Sequence, residues 1–207
     1  MAVIGLLGFI GSGKGTAAEY LVKEHNYTQD SFASSLKDAC SVVFDWPREL
    51  LEGDTLESRE WRDEVDVWWQ GQLGIDQFTP RLCLQLFGTD AIRNHFHQDM
   101  WFLTVKNRIQ KNPDLDIVIS DVRFPNEIQM IRDLGGTLAQ VVRGKDPVWY
   151  DVAVSANRGD EFALIEMQDC HSDVHFSEWA WAGEQLDVIL DNNGKLDDLY
   201  KNINNML

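Results

Sequence analysis

The chain has 207 residues, of which 44% are hydrophobic and 25% are charged, and that range is typical of a globular protein with a core of its own. Its 18 basic and 34 acidic residues give a formal net charge of −16, and no block of Lys or Arg offers a general nucleic-acid-binding surface. No apolar run approaches the ~20 residues of a membrane helix.

The N-terminus lacks the features of a signal peptide, and the three cysteines include no C-x-x-C pair, which favours free thiols in a reducing compartment. We therefore expect a cytoplasmic protein that binds neither a membrane nor nucleic acid.

Strands and helices alternate along the first part of the chain. Residues 2–7 are short and apolar, as in a strand that is buried on both faces. A glycine-rich turn and a helix with Ala17, Ala18 and Leu21 at helical spacing follow. Residues 27–33 predict a second short strand, and Ser34 or Ser35 is a candidate cap for a helix that runs to about Phe44.

The middle of the chain is less regular. Residues 45–78 hold four of the tryptophans among many carboxylates and predict an insertion of helices and loops. Thr79-Pro80 resembles an N-cap followed by proline at the first helical position, so a helix is expected from there to about His95. A further helix is expected over residues 99–111.

The last part returns to alternating elements, with Gly135 as the natural end of its first helix. Strands are predicted over 116–120, 137–142 and 186–190, and helices over 126–134 and 195–207. Residues 144–169 are the least regular, and we expect a mobile lid over about 144–170. The pattern predicts one α/β domain over residues 1–207, a parallel sheet with helices on both faces.

The strongest motif is the segment Gly8–Thr16, which contains G-x-x-x-x-G-K between a predicted strand and a predicted helix. Glycines let consecutive N–H groups point at phosphate oxygens, and the helix adds its positive end. Lys14 can reach the terminal phosphates of ATP, and Thr16, one position later than usual, can ligate Mg²⁺. The predicted ATP-binding residues are Gly11, Ser12, Gly13, Lys14, Gly15 and Thr16.

A phosphate loop alone does not select one function, because kinases, GTPases and motor ATPases all use it. The chain has no N-K-x-D guanine motif, and the D-x-x-G match at residues 133–136 falls at a predicted helix end, where glycine is routine. A small kinase is favoured. Adenylate, guanylate and phosphomevalonate kinases are alternatives, and a nucleotide-dependent binding switch is the alternative from another class.

Phosphoryl transfer to a phosphate acceptor depends more on positive charge and on the placement of the two substrates than on a general base. Asp121 and Arg123 follow a buried strand, at the edge of the sheet where open α/β folds bind ligands. Asp121 can orient Mg²⁺-bound water or a sugar hydroxyl, and Arg123 can clamp a phosphate. Glu127 can accept from a base or from an arginine. The alternative is a local Asp–Arg pair with an exposed glutamate.

Arg93 and Asn94 are a second candidate pair, for the acceptor phosphate and a base edge, although an ordinary helix surface is equally compatible with them. Arg59, Arg62 and Arg81 lie in or beside the Trp-rich insertion. Trp101 and the other tryptophans can stack on a base, but tryptophan is more often a core residue. Arg143 begins the expected lid, which would exclude water from ATP. Cys170-His171 with His175, and His95 with His97, lack the spacing of a zinc site.

Taken in order, these motifs resemble the deoxynucleoside monophosphate kinases of large tailed bacteriophages. The resemblance rests on the loop, Phe32-Ala before Lys37-Asp38, Leu86-x-Gly-Thr-Asp with Asn94 and Trp101, and Asp121-x-Arg123 with Glu127. It continues through Val142-Arg143, His175-x-Ser-Glu178 and Asp191-Asn-x-Gly. The Trp-rich insertion is matched least.

The resemblance implies the three-layer P-loop kinase fold and the reaction ATP + dNMP → ADP + dNDP with Mg²⁺, in a chain that is often a homodimer. It implies Lys14, Arg93 and Arg123 as catalytic residues, Arg143 as a further ATP contact, and Thr16 and Asp121 as metal ligands, the latter directly or through water. The implied substrate-binding residues are Lys37, Arg59, Gly88, Thr89, Arg93, Asn94, Trp101, Asp121, Arg123, Phe124 and Glu127.

Overall fold

The computed structural model describes residues 1–207 and contains a parallel sheet of five strands. They are β1 (Val3–Leu7), β2 (Thr28–Asp30), β3 (Ile117–Ile119), β4 (Thr137–Val142) and β5 (Val188–Asp191). Their order is β2–β3–β1–β4–β5, and Ile4 of β1 pairs with Val118 on one side and Thr137 on the other. β1 lies at the centre of the sheet, and every one of its residues is buried.

The chain divides into two compact units. The sheet unit comprises residues 1–31 and 109–207, and the helical unit comprises residues 32–108. The helices of the sheet unit are α1 (Lys14–His25), α7 (Pro125–Asp133), α8 (Tyr150–Asn157), α9 (Glu161–Cys170) and α10 (Leu196–Met206). The helical unit holds α2 (Ser34–Phe44), α3 (Leu56–Asp63), α4 (Val67–Leu73), α5 (Pro80–Gln85), a π-helical segment (Leu86–Asn94) and most of α6 (Met100–Lys111).

Helices cover both faces of the sheet. Ile4 and Leu6 of β1 share one cluster with residues of α1 and α10. Gly5 points to the other face, where a β-carbon would lie 2.4 Å from Cδ1 of Ile131 on α7. The absence of a side chain at Gly5 therefore lets α7 pack closely on the sheet. The predicted three-layer α/β fold is confirmed.

The tryptophans of the helical unit are mainly core residues. Trp46 packs with Leu36, Cys40 and other buried side chains. Its ring stacks on Phe44 at 4.6 Å, and its indole N–H donates to Asp66 at 2.9 Å. A buried tryptophan needs such an acceptor. The helical unit extends beyond the expected insertion at 45–78 on both sides, because α2, α5 and α6 contribute to the same core.

Two sequence-based expectations were wrong. The segment 144–169 is not irregular, since it forms α8 and α9, whose Ala153 and Met167 pack against Trp179 and Ala182. The helical pattern is hard to read because Phe162 of α9 is 86% exposed, which breaks the amphipathic spacing. The cap of α2 is Ala33, without a side-chain bond, rather than a serine.

Other boundaries agree with the sequence. Thr79 caps α5 by accepting from the N–H of Leu82 at 3.1 Å, and Pro80 is its first residue. Gly135 ends α7 with a φ of +68°. It therefore has the expected role at a helix end, and its D-x-x-G match is not needed to explain it. None of the helices combines the length and the apolar character that crossing a membrane requires.

Candidate active site

The phosphate loop joins β1 to α1 in a conformation that glycine permits. Gly8 has a φ of +137°, and a β-carbon there would lie 2.4 Å from the carbonyl oxygen of Val141. Gly13 is the N-cap of α1 and gives it no side-chain capping bond. Backbone N–H groups at such a helix start are natural donors to an anion. The loop therefore has the geometry of a phosphate cradle.

Lys14 folds back over this loop. Its Nζ donates to the carbonyl oxygens of Gly8 at 2.7 Å and Phe9 at 2.9 Å. Burial of the amine, followed by the nearby charge of Arg123, lowers the pKa of Lys14 to about 8, against the opposing effects of Glu178 and Asp121. The buried ammonium of Lys14 lies near the positive charge of Arg123. A bound phosphate would supply the negative charge that offsets both.

Asn192, in the turn after β5, holds the loop from outside the motif. Its Nδ2 donates to the carbonyl oxygen of Ser12 at 2.7 Å, and its own N–H donates to Val142 at 2.8 Å. A β-carbon on Gly13 would lie 2.3 Å from that Nδ2. This role of Asn192 was not predicted from the sequence, although the Asp191-Asn-x-Gly motif that carries the residue was part of the resemblance.

Aromatic side chains surround Phe9, the second residue of the loop. Its ring centroid lies 5.5 Å from Trp149, 5.6 Å from Tyr150 and 5.1 Å from Trp181. Edge-to-face arrangements at these distances are favourable. The start of α8 and the segment around Trp181 thus hold the loop in place. The phosphate-loop motif covers only residues of the loop, so it gives no indication of these contacts.

Arg123 and Asp121 lie at the end of β3 as expected, but they do not pair with each other. The guanidinium of Arg123 bonds to the carboxylate of Glu178 and donates to Oγ of Ser177 at 3.3 Å. Asp121 accepts from the hydroxyl of Ser31 at 2.8 Å. Glu178 is a site residue that the sequence analysis did not single out, and its only signal was the His175-x-Ser-Glu178 motif.

Glu127 is buried, at 1% exposure, so the alternative of an exposed helix glutamate was wrong. Its Oε2 accepts from the backbone N–H of Arg123 at 2.9 Å and of Phe124 at 3.1 Å. The carboxylate therefore caps the start of α7 and fixes the backbone that carries Arg123. The ring of Phe124 lies 6.1 Å from that of Phe176.

In the helical unit, two of the predicted substrate residues are part of the core. Trp101 is 7% exposed, and its indole N–H donates to the carbonyl oxygen of Gly88 at 2.9 Å. A β-carbon on Gly88 would lie 2.6 Å from Cδ2 of Leu36. These residues shape the π-helical segment from within, and that segment carries Thr89, Arg93 and Asn94.

The polar candidates of the helical unit already have local partners. Nζ of Lys37 lies 2.6 Å from Oε2 of Glu52, and Nε of Arg59 donates to the carbonyl oxygen of Gly53 at 3.0 Å. Asn94 donates to Asp90 at 3.4 Å. Within the sheet unit, Arg143 is exposed after β4.

The oxygen donors at the loop suit a magnesium ion. Mg²⁺ prefers oxygen ligands and usually keeps several waters, with one or two protein groups and the substrate phosphates. The hydroxyl of Thr16 and the carboxylate of Asp121 are donors of this kind. No group of three or more His, Cys, Asp or Glu side chains that could hold a metal comes together in residues 1–207.

A sequence model of the deoxynucleotide monophosphate kinases matches residues 54–203. A protein of Acanthamoeba polyphaga mimivirus assigned as a deoxynucleotide monophosphate kinase is 36% identical over 157 residues, with 69% of this chain and 75% of the relative covered. The deoxynucleoside-5'-monophosphate kinase of Escherichia phage T5 is 26% identical over 181 residues, with 63% and 72% covered.

Solved structures that resemble the chain include the shikimate kinase of Aquifex aeolicus, which is 14% identical with a TM-score of 0.45. That comparison covers 99% of this chain and 94% of the other. The dephospho-CoA kinase of Campylobacter jejuni is 13% identical with a TM-score of 0.43, at the same coverage of 99% and 94%.

Proposed function

Since the chain belongs to the deoxynucleotide monophosphate kinase family, we propose that it transfers the γ-phosphate of ATP to a deoxynucleoside monophosphate, giving ADP and the diphosphate. One observation carries the proposal. Lys14, in a phosphate loop between β1 and α1, has an amine whose pKa is lowered to about 8 by its burial and by Arg123. Two cations so close together favour a site for a polyphosphate.

The reaction places modest chemical demands on the side chains. The acceptor phosphate has a second pKa near ~6 and is already nucleophilic near neutral pH, so no general base is needed. What remains is in-line placement and positive charge over the transferred group. Lys14 and Arg123 supply that charge in the sheet unit, and Arg93 supplies it in the helical unit.

The donor is held mainly by backbone. The N–H groups of residues 11–16 bind the phosphates of ATP, and the Nζ of Lys14 moves from the carbonyl oxygens of Gly8 and Phe9 to the terminal phosphates. Arg143 makes a further contact to ATP. Asn192 and Phe9 are positioning residues, because they hold the loop and do not touch the phosphates.

Thr16 and Asp121 would hold Mg²⁺, the latter directly or through water. The metal ion, when bound, offsets the charge of the β- and γ-phosphates. Ser31 orients Asp121 through the hydroxyl hydrogen bond described above, so the carboxylate is aimed before the nucleotide binds.

Arg123 changes partner when substrate binds. Its present partner Glu178 contacts Nη1 of the guanidinium, and a phosphate can replace it through a bidentate contact. Glu127 keeps the backbone at Arg123 fixed while the side chain moves. The other residues proposed to bind the deoxynucleotide are Lys37, Arg59, Gly88, Thr89, Arg93, Asn94, Trp101, Asp121 and Phe124.

The test is a coupled ADP-release assay with ATP and Mg²⁺. The acceptors are dAMP, dGMP, dCMP and dTMP, their ribose counterparts, and shikimate and phosphomevalonate as outsiders. Strong stimulation by at least one dNMP over its ribonucleotide is the expected result, and it also gives the base range. Slow hydrolysis that no acceptor stimulates would overturn the proposal in favour of a nucleotide-dependent switch.

We further propose a homodimer that acts in the cytoplasm, which is the host cytoplasm for a virus-encoded chain. Val42 of α2, and Val67 and Trp68 of α4, are exposed apolar side chains of the helical unit, and a subunit interface would bury side chains of this kind. Light scattering on a sizing column tests the dimer. The net charge of −16 supports an enzyme of small molecules that does not bind nucleic acid.

A further inference from the structure

Arg62, on α3 of the helical unit, is a partly buried arginine that lacks the usual partner. Its Nε is buried and has no hydrogen-bond partner. Two carboxylates are near enough to act on its charge, Asp63 and Glu52, and each is bonded elsewhere. Asp63 binds Arg81, and Glu52 binds Lys37 and Arg48. In a chain with a net charge of −16, an arginine left without a carboxylate is unexpected.

The guanidinium of Arg62 packs against Gly53. Gly53 has a φ of +70°, and a β-carbon there would lie 1.9 Å from Nη2 of Arg62. Any other residue at position 53 would therefore displace the head of Arg62. The guanidinium of Arg62, in the last turn of α3, therefore packs directly against the glycine turn that precedes this helix.

A second guanidinium lies on the same turn. Arg59 stands three residues before Arg62 on α3, so that both side chains share one face. Its Nε donates to the carbonyl oxygen of Gly53 at 3.0 Å, and its Nη2 donates to that of Asp54 at 3.3 Å. Both of these bonds of Arg59 go to backbone carbonyl oxygens.

The electrostatics of Arg62 point to a missing anion. Burial, then Arg81 and Arg59, lower the pKa of Arg62, while Asp63 and Glu52 act in the opposite direction. A partly buried cation among like charges is costly, and a bound anion would offset that cost. Two adjacent guanidinium groups match the several oxygens and the double charge of a phosphate monoester better than a single carboxylate.

We propose that Arg62, assisted by Arg59 and seated on Gly53, binds a phosphate monoester, namely the phosphate of the acceptor deoxynucleotide. The identity of the ligand rests on the kinase function proposed above, whereas the anion site itself does not. Arg62 is then a substrate-binding residue in addition to those that the motifs indicated.

The test follows amide hydrogen exchange in the full-length protein without ATP. Inorganic phosphate and the dNMP that stimulates ADP release most are added separately, and exchange in residues 53–63 is compared with exchange in the phosphate loop, residues 8–16. This local readout separates the two anion sites. The variants are Arg62→Met, which keeps the length and removes the charge, and Arg62→Lys, which keeps the charge and removes the fork. Arg158→Met, in the sheet unit, is the control for net charge.

We expect both ligands to slow exchange in residues 53–63 of the wild type and of Arg158→Met. In Arg62→Met the dissociation constant read from this segment should rise at least about ten-fold, the scale of one lost charge-assisted contact, with a smaller rise in Arg62→Lys. The KM for the acceptor should rise in parallel, with the KM for ATP unchanged. A cooperative thermal unfolding transition in each variant shows that it folds.

Three results would overturn the proposal in different ways. Equal protection of residues 53–63 in the wild type and Arg62→Met would remove the anion site and leave the kinase assay unaffected. Protection by inorganic phosphate but by no deoxynucleotide would refute the assignment to the acceptor. Failure of every acceptor to stimulate ADP release would refute the kinase function itself, while phosphate protection would still report on Arg62.

Discussion

The substitution Lys14→Met should abolish activity and, at the same time, stabilise the free protein. The kinetic effect, a fall in kcat of several orders of magnitude, is expected because the side chain that contacts the transferred phosphate is lost. The effect on stability is less obvious. The pKa of Lys14 falls from 10.5 to about 8 in the folded chain, so the protonated amine makes the folded state less stable than a neutral side chain would.

The size of this effect follows from the pKa. A fall from 10.5 to about 8 corresponds to roughly 3 kcal/mol at a pH below 8. The variant also loses the hydrogen bonds to the carbonyl oxygens of Gly8 and Phe9, which offset about 1 kcal/mol or more. Partial access of water to the amine reduces the electrostatic cost further. We therefore expect Lys14→Met to be more stable than the wild type by ~1–2 kcal/mol at pH 7.

The pH dependence of the free energy of unfolding tests the sign of this effect independently. Between pH 8 and pH 10.5 the folded wild type has lost the proton of Lys14 while the unfolded chain still holds it, so the free energy of unfolding of the wild type rises with pH. The variant lacks this contribution, and every other group titrates in both proteins. The advantage of Lys14→Met should thus be largest at or below pH 7 and should shrink at pH 9.5.

Urea unfolding at pH 7 and pH 9.5, followed by tryptophan fluorescence, measures both quantities. Lys145→Met is the matched control, because Lys145 is an exposed lysine of the same unit whose removal should change stability little at either pH. The reasoning fails if Lys14→Met is no more stable than the wild type at pH 7, or if the difference between them is the same at both values of pH.

Four further predictions concern single side chains. Arg123→Ala should raise the KM for the acceptor, lower kcat, or both, by about ten-fold or more through loss of a charge-assisted contact; steady-state kinetics that match the wild type would leave Arg123 a structural partner of Glu178. Asn192→Ala removes the bond to Ser12 at 2.7 Å, and the KM for ATP should rise with little change in the KM for the acceptor, which an ATP titration at saturating dNMP checks. Trp101→Phe keeps a ring in the core and removes the indole bond to Gly88, which loosens the π-helical segment that carries Arg93 and Asn94, so the KM for the acceptor should rise; an unchanged KM for the acceptor would count against this supporting role of Trp101. Among the thiols, Cys170 is exposed and Cys40 and Cys83 are buried, so an aromatic disulfide reagent should modify one thiol rapidly in the folded protein and all three in urea, and three fast thiols would contradict the packing.

Features that depend on neighbours along the chain could be predicted from the amino-acid sequence. The phosphate loop is readable because glycine at fixed offsets permits the backbone that phosphate binding requires, and the run of residues 3–7 is apolar because a central parallel strand is buried on both faces. Thr79-Pro80 and Gly135 marked helix ends through local capping. From these the parallel sheet, its covering helices and a kinase function were predicted correctly.

Roles that depend on residues far apart in the chain became visible in the folded protein. Asn192 contacts Ser12 across 180 positions, Arg123 is bound to Glu178 and not to Asp121, and Glu127 caps the backbone before it. Trp101 is a core residue, and α8 and α9 are helices in spite of an exposed Phe162, because their inner faces pack on Trp179 and Ala182. Arg62 is distinctive because its buried Nε has no hydrogen-bond partner. The spacing of residues along the sequence does not show which carboxylates are already bonded to other side chains. The partners of a side chain depend on distances and burial in the folded chain, and neither of these produces a periodic pattern in the sequence.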